Sequence, residues 1–109
     1  MGIDARRRKP RIATIFGGLS GPAIKPVALR MCFQVHRAMP SVPISGIGGV
    51  VSGEDVVEFL LAGATTVQVG TQSFVEPNAA QRILGELEQF MREEKIQDVR
   101  ELIGGLRTQ

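Results

Sequence analysis

Three glycine turns carry the chemistry this sequence offers: Gly17-Gly18-Leu19-Ser20-Gly21, Gly46-Ile47-Gly48-Gly49 and Gly70-Thr71. A glycine at a strand end lets backbone N–H groups approach an anion with no Cβ in the way. The second and third turns each follow an apolar segment, Val42-Pro43-Ile44 and Val67-Gln68-Val69. One such turn is adequately explained as a tight bend or a helix cap, whereas two successive strand-end turns can share a phosphate. Charge separates their roles. Glu54 and Asp55 occupy the positive end of the helix after Gly48-Gly49, so a phosphate there is expected on the loop amides of Gly48 and Gly49 and not on that helix dipole. No acid follows Gly70-Thr71 before Glu76, which leaves that turn its amides and the Thr71 hydroxyl.

Other reactive residue types have blander readings. His36, the single histidine, has no carboxylate three or four residues away and reads as a surface or half-buried helix residue. Cys32, the single cysteine, lies on the apolar side of the same helix and reads as a packed thiol without cationic activation. It cannot form an internal disulfide, and a reducing, cytoplasmic setting is the default. No Ser/His/Asp set, metal-ligand spacing or carboxylate pair stands out, so the chain offers a binding half-site and no catalytic one. The run Arg6-Arg7-Arg8-Lys9-Pro10-Arg11 can bind a phosphate backbone, but a solvated loop is the stronger reading. With no Trp or Tyr, base stacking would fall to five Phe, so nucleic acid is a weak expectation.

The elements that must position the turns follow from periodicity. Arg11–Phe16 is β-branched and reads as a short β segment. From Ile24 to Met39, Val27, Met31, Val35 and Met39 recur every four residues, with Ile24, Ala28, Leu29, Cys32 and Ala38 widening the stripe. That is an amphipathic helix, with Pro26 in its first turn. Strands are predicted near 42–46 and 66–69, and further helices over 52–62, 78–94 and 98–103. Ser52 and Asp55 have capping-box spacing, and Gly63 suits a helix C-cap. The stripe of the helix over 78–94 is Ile83, Leu84, Leu87, Phe90 and Met91.

This alternation of short strands and helices reads as βα units with a parallel sheet. The chain's 109 residues and 11.8 kDa, with 43% hydrophobic and 22% charged residues, suit a folded domain. There is no apolar run long enough to span a membrane and no secretory signal. Two strands cannot bury both faces and edges of a parallel sheet, and a (β/α)8 barrel needs about 250 residues. The expected fold is therefore α/β, the last βα units of an incomplete (β/α)8 barrel. The net charge of +2 conceals an asymmetry: residues 1–30 hold seven basic residues against Asp4, while residues 31–109 hold six against ten acids.

Gly17-Gly18-Leu19-Ser20-Gly21-Pro22-Ala23-Ile24-Lys25-Pro26-Val27-Ala28-Leu29-Arg30 begins a run of linked motifs. It continues through Val42-Pro43-Ile44, Gly46-Ile47-Gly48-Gly49-Val50, Glu54-Asp55 and Phe59-Leu60-Leu61-Ala62-Gly63-Ala64. Val67-Gln68-Val69-Gly70-Thr71 and Phe74-Val75 complete it. In this order the chain resembles the C-terminal part of class 1 dihydroorotate dehydrogenases, most of all the class 1B catalytic subunit. The resemblance implies an FMN-binding barrel that oxidises dihydroorotate to orotate in pyrimidine biosynthesis. It implies that Gly48-Gly49 and Gly70-Thr71 hold the FMN phosphate and that Gly21 contacts the flavin end of the site. It also implies an iron–sulfur/FAD partner subunit that passes electrons to NAD.

The same resemblance places the cysteine base, the lysine near the flavin and the substrate-binding asparagines before the residues seen here, so Cys32 is not that base. Met1-Gly2-Ile3-Asp4 resembles the segment after the sixth strand, as though an internal methionine served as a start. Residues 1–109 are then the C-terminal FMN-phosphate segment, with 1–23 a loop or hairpin excursion over the active-site mouth. By itself such a chain is expected to be catalytically silent, a homo-oligomer or poorly soluble, and colourless unless a complementing N-terminal half is supplied. The alternatives are a non-catalytic phosphate-binding module or a basic nucleic-acid-binding protein led by Arg6–Arg11.

Overall fold

The computed structural model describes all 109 residues, Met1–Gln109. A hairpin pairs β1 (Ile3–Asp4) antiparallel with β2 (Lys9–Pro10). A 3-10 turn (Pro22–Ile24) leads into α1 (Lys25–Ala38). β3 (Ser45–Ile47), α2 (Gly53–Leu61), β4 (Thr66–Gln68), α3 (Gln72–Val75) and α4 (Ala79–Glu93) follow, and a 3-10 turn at Val99–Leu102 closes the order. β3 and β4 pair in parallel, Ser45 with Thr66, Gly46 with Val67 and Ile47 with Gln68, as a βαβ unit requires.

Helix α2 is the centre of the packing. Its Val56, Val57, Phe59 and Leu60 are buried with Val50, Ala64, Ala79, Ile83 and Leu102, and Cys32 joins them from α1. Ser52 caps it as the spacing predicts: its hydroxyl accepts from the Asp55 amide while the Asp55 carboxylate accepts from the Ser52 amide. At the other end Gly63 N–H donates to the Leu60 carbonyl and Ala64 N–H to the Phe59 carbonyl, a Schellman closure. Gly46, in the middle of β3, lies against α2 so closely that a Cβ there would stand 2.6 Å from Phe59 Cδ1. The opposite face of the ladder, with Ser45, Ile47, Thr66 and Gln68, is uncovered. Its one cross-strand side-chain bond runs from Gln68 Nε2 to Ser45 Oγ, 2.9 Å.

Several sequence expectations need correction. Arg11–Phe16 is not a strand. No neighbouring strand is available to it, so Ile15 N–H closes on the Ile12 carbonyl and Ile15 turns to φ 68°. The hairpin strands are instead Ile3–Asp4 and Lys9–Pro10. The strand expected over 42–46 begins later, at Ser45. Pro43 has no N–H to donate, and the Ile44 carbonyl accepts the Thr65 and Thr66 amides, fixing where the ladder starts. A short helix, α3, precedes α4, and the last helix is only a 3-10 turn.

The stripe on α1 is borne out at Ala28, Leu29 and Cys32 but not along its four-residue row. Val27, Met31, Val35 and Met39 are exposed, and the residues packed on the core are Ala28, Leu29, Cys32 and Phe33. With only β3 and α2 beside it, α1 has something to bury on one side alone. Leu84 on α4 is exposed for the same reason.

Candidate functional site

The C-terminal ends of β3 and β4 open into one cleft of about 320 Å³. All five residues singled out from the sequence line it: Gly21 from the turn before α1, Gly48 and Gly49 after β3, and Gly70 and Thr71 after β4. Ile24, Val50, Val51 and Gln72 complete much of the wall. The backbone explains why glycine stands at 49. Gly49 has φ 70°, and a Cβ there would sit 2.7 Å from the Gly21 carbonyl oxygen and 3.0 Å from Lys25 Cβ. Gly21, itself at φ 90°, is buried beneath this contact.

The cleft is defined by unused donors. The amides of Gly48, Gly49 and Val50 on one side, and of Gly70, Thr71 and Gln72 on the other, donate to no protein acceptor. Immediately past Val50 the pattern reverses. Val51 and Ser52 N–H both donate to Asp55 Oδ2 (2.8 and 3.1 Å), Gly53 N–H to Glu86 Oε2 (2.7 Å) and Asp55 N–H to Ser52 Oγ (3.2 Å). The first turn of α2 is thus saturated by carboxylates and a hydroxyl of the chain itself. Those α2 amides are already partnered, whereas the loop amides of 48–50 are not. The Thr71 hydroxyl, at the start of α3, makes no capping bond, and Thr71 lines the same cleft.

Two cations flank the cleft, and neither is free. Lys25 Nζ is 2.5 Å from Asp55 Oδ1 and 2.7 Å from Glu58 Oε2, which joins the start of α1 to the cap of α2. Burial pushes the Asp55 carboxyl up, but the Lys25 bond, the Val51 amide and the Ser52 side chain outweigh it and hold the group below the ordinary range. Hydrogen bonds from Lys25 to the two acids raise the Lys25 ammonium. Arg82 on α4 binds Glu76 through Nε (3.0 and 2.9 Å) and Glu86 through Nη1 (2.6 Å), and donates from Nη2 to the Val51 carbonyl (3.0 Å). Each cation serves two carboxylates, which leaves the backbone amides as the uncommitted donors beside the cleft.

Residues with reactive side chains lie elsewhere. Cys32 is buried in the core, and desolvation raises its thiol despite a bond with the Ala64 backbone. His36 is half-buried against Gly63 and Gly104, whose missing Cβ atoms make room for its ring. The arginines of 6–11 lie on the hairpin, where Asp4 Oδ1 accepts the Arg6 and Arg7 amides to shape the turn. The residues that sequence reading missed are Lys25 and Arg82. Arg82 and Glu86 have helix i, i+4 spacing, which signals only a surface pair; Glu76 and Val51 gave no signal.

The family model for dihydroorotate dehydrogenase matches residues 1–91. The chain is 58% identical over 106 residues to the dihydroorotate dehydrogenase B (NAD(+)) catalytic subunit of Citrifermentans bemidjiense, covering 97% of this chain and 34% of that protein. The counterpart from Trichlorobacter lovleyi is 59% identical over 106 residues, with 97% and 34% covered. Among solved structures, Eimeria tenella DHODH in complex with ferulenol superposes with a TM-score of 0.78 at 28% identity, over 87% of this chain and 26% of that one. The chain spans about a third of the length of the curated relatives it matches.

Proposed function

The chain belongs to the dihydroorotate dehydrogenase family as a partial (β/α)8 barrel, and on that premise we propose that it supplies the cofactor-phosphate end of an FMN-dependent enzyme that oxidises dihydroorotate to orotate. The observation that carries this reading is that six residues with unpartnered amides, three from each strand end, line one cleft. Such a cradle suits a phosphate monoester: its oxygens are acceptors only, and a Cβ at Gly49 would close the cleft's wall against Gly21. In this reading Gly48, Gly49, Gly70 and Thr71 hold the phosphate of FMN, while Gly21 borders its flavin end. FMN supplies the two-electron acceptor of the reaction.

What the chain's own residues do is bind and orient. The Ser52–Asp55 box removes the first amides of α2 from competition, so the phosphate is directed to 48–50 and 70–72. No residue in the cleft is a general base: Cys32 and His36 line no part of it. The base and the substrate contacts of the family fall in the other two-thirds of the enzyme. The relatives' description as catalytic subunits of a B-type, NAD(+)-linked enzyme supports a partner subunit that relays electrons to NAD, which we assign to an iron–sulfur/FAD protein. No helix is long and apolar enough to cross a membrane.

The test is a chimaera in which this chain replaces the matching third of the Citrifermentans bemidjiense subunit. The chimaera should purify with bound FMN and bleach when dihydroorotate is added. A folded chimaera that retains no FMN would overturn the reading, leaving a phosphate-binding module without redox function.

A further inference from the structure

The ladder that aligns the two turns is short. It ends at Ile47 and Gln68, and no backbone hydrogen bond joins 48–53 to 69–78 beyond it. Two sets of amides can share one phosphate only if their separation is fixed to within a few tenths of an ångström, because hydrogen bonds weaken steeply off geometry. Apolar packing of α2 on α4 brings the helices together through Ile83 and Leu87 but does not direct the turns.

We propose that Arg82 is the positioning residue that sets the spacing of the two amide-lined turns; the inference rests on the phosphate-site reading above. Its guanidinium reaches a point just beyond each turn. On one side it donates to the Val51 carbonyl, the residue next to Val50. On the other it grips Glu76, which directly follows the single turn of α3 that starts from Thr71. Its third arm orients Glu86, whose second oxygen accepts Gly53 N–H. The segment 51–53 is thereby held from two sides, by Asp55 on the Val51 amide and by Arg82 on the Val51 carbonyl. A planar fork with fixed donor directions can make these bonds simultaneously, whereas a lysine ammonium cannot reproduce the geometry.

The experiment follows backbone amide shifts of the isotopically labelled 109-residue chain during titration with inorganic phosphate. In the unaltered chain the amides of 48–50 and of 70–72 should move along one binding curve. Arg82→Lys keeps the charge and should weaken phosphate binding about tenfold, as losing a bond to a charged group does, or split the two turns onto separate curves. Glu76→Gln, which cuts only the arm to the second turn, should act in the same direction, and the double variant should add little. A residue that merely stabilised the fold would lower the melting temperature and leave the affinity of the folded chain unchanged, with both turns on one curve. Unchanged affinity with a common curve in Arg82→Lys and Glu76→Gln would overturn the proposal. If Arg82→Lys does not fold, Glu76→Gln alone decides. No shift at either turn in the unaltered chain would instead defeat the phosphate-site reading, and the role of Arg82 with it.

Discussion

A methyl group at position 49 would meet the Gly21 carbonyl at 2.7 Å and force a residue with φ 70° into a region that side chains resist. Gly49→Ala is therefore expected to cost about 1–3 kcal/mol in thermal or urea unfolding and to abolish phosphate shifts at 48–50. The carboxylates behind the cleft give a second residue-scale expectation. Asp55 and Glu86 lie below their ordinary values of 3.8 and 4.5, Asp55 because Lys25, the Val51 amide and the Ser52 side chain outweigh its burial, Glu86 chiefly through Gly53 N–H and then Arg82. Groups depressed in the folded state contribute their full stability above the unfolded values and lose it as pH falls through the folded ones. Stability should thus hold above about pH 5 and decline below about pH 4, and Asp55→Asn should flatten that decline while lowering stability at neutral pH. Chemical denaturation across pH measures both. At this scale the glycine turns and the Ser52–Asp55 box were legible because their signals lie within a few residues. Arg82 was not, since its meaning depends on Val51, 31 residues away.

Among the elements, α1 carries the clearest consequence. Val27, Met31 and Val35 form an exposed apolar row on a helix that packs only along its other side. β3 and β4 each keep one unpaired edge, and the ladder's face bearing Ile47 is open. The 109-residue chain is expected to self-associate through these surfaces. Met31→Glu, at a position 61% exposed, should shift it toward monomer in sedimentation without lowering the melting temperature. Were Met31→Glu as oligomeric as the unaltered chain, α1 would not be the associating face. Helix α1 was legible in the sequence as a helix, and Ala28, Leu29 and Cys32 of its buried side were within the expected stripe, but the row Val27, Met31, Val35 and Met39 was not on that side. A period of four fits two adjacent stripes, and which one is covered depends on neighbours the periodicity does not contain. Parallel pairing of β3 and β4 was legible because a helix intervenes, whereas Arg11–Phe16 misled because β-branched composition cannot supply a partner strand.

As a whole the molecule is built like a part. Its radius of gyration is 16.6 Å against roughly 13 Å for a compact chain of this length, and only 16 of 109 residues are buried. The hairpin stands out, and the cleft is walled by two strand ends where a closed barrel would have eight. On the reading proposed above such a chain offers a phosphate cradle but does not enclose a flavin and its substrate, so it should show no dihydroorotate oxidation unless the remainder of a barrel is joined to it. The most direct test of the central claim is a comparison of FMN with riboflavin, which lacks only the phosphate, by amide shifts of the labelled chain. FMN should move Gly48, Gly49, Gly70 and Thr71 together, and riboflavin should leave all four in place. Equal shifts with both flavins, or shifts confined to other residues, would contradict the assignment of this cleft to the cofactor phosphate.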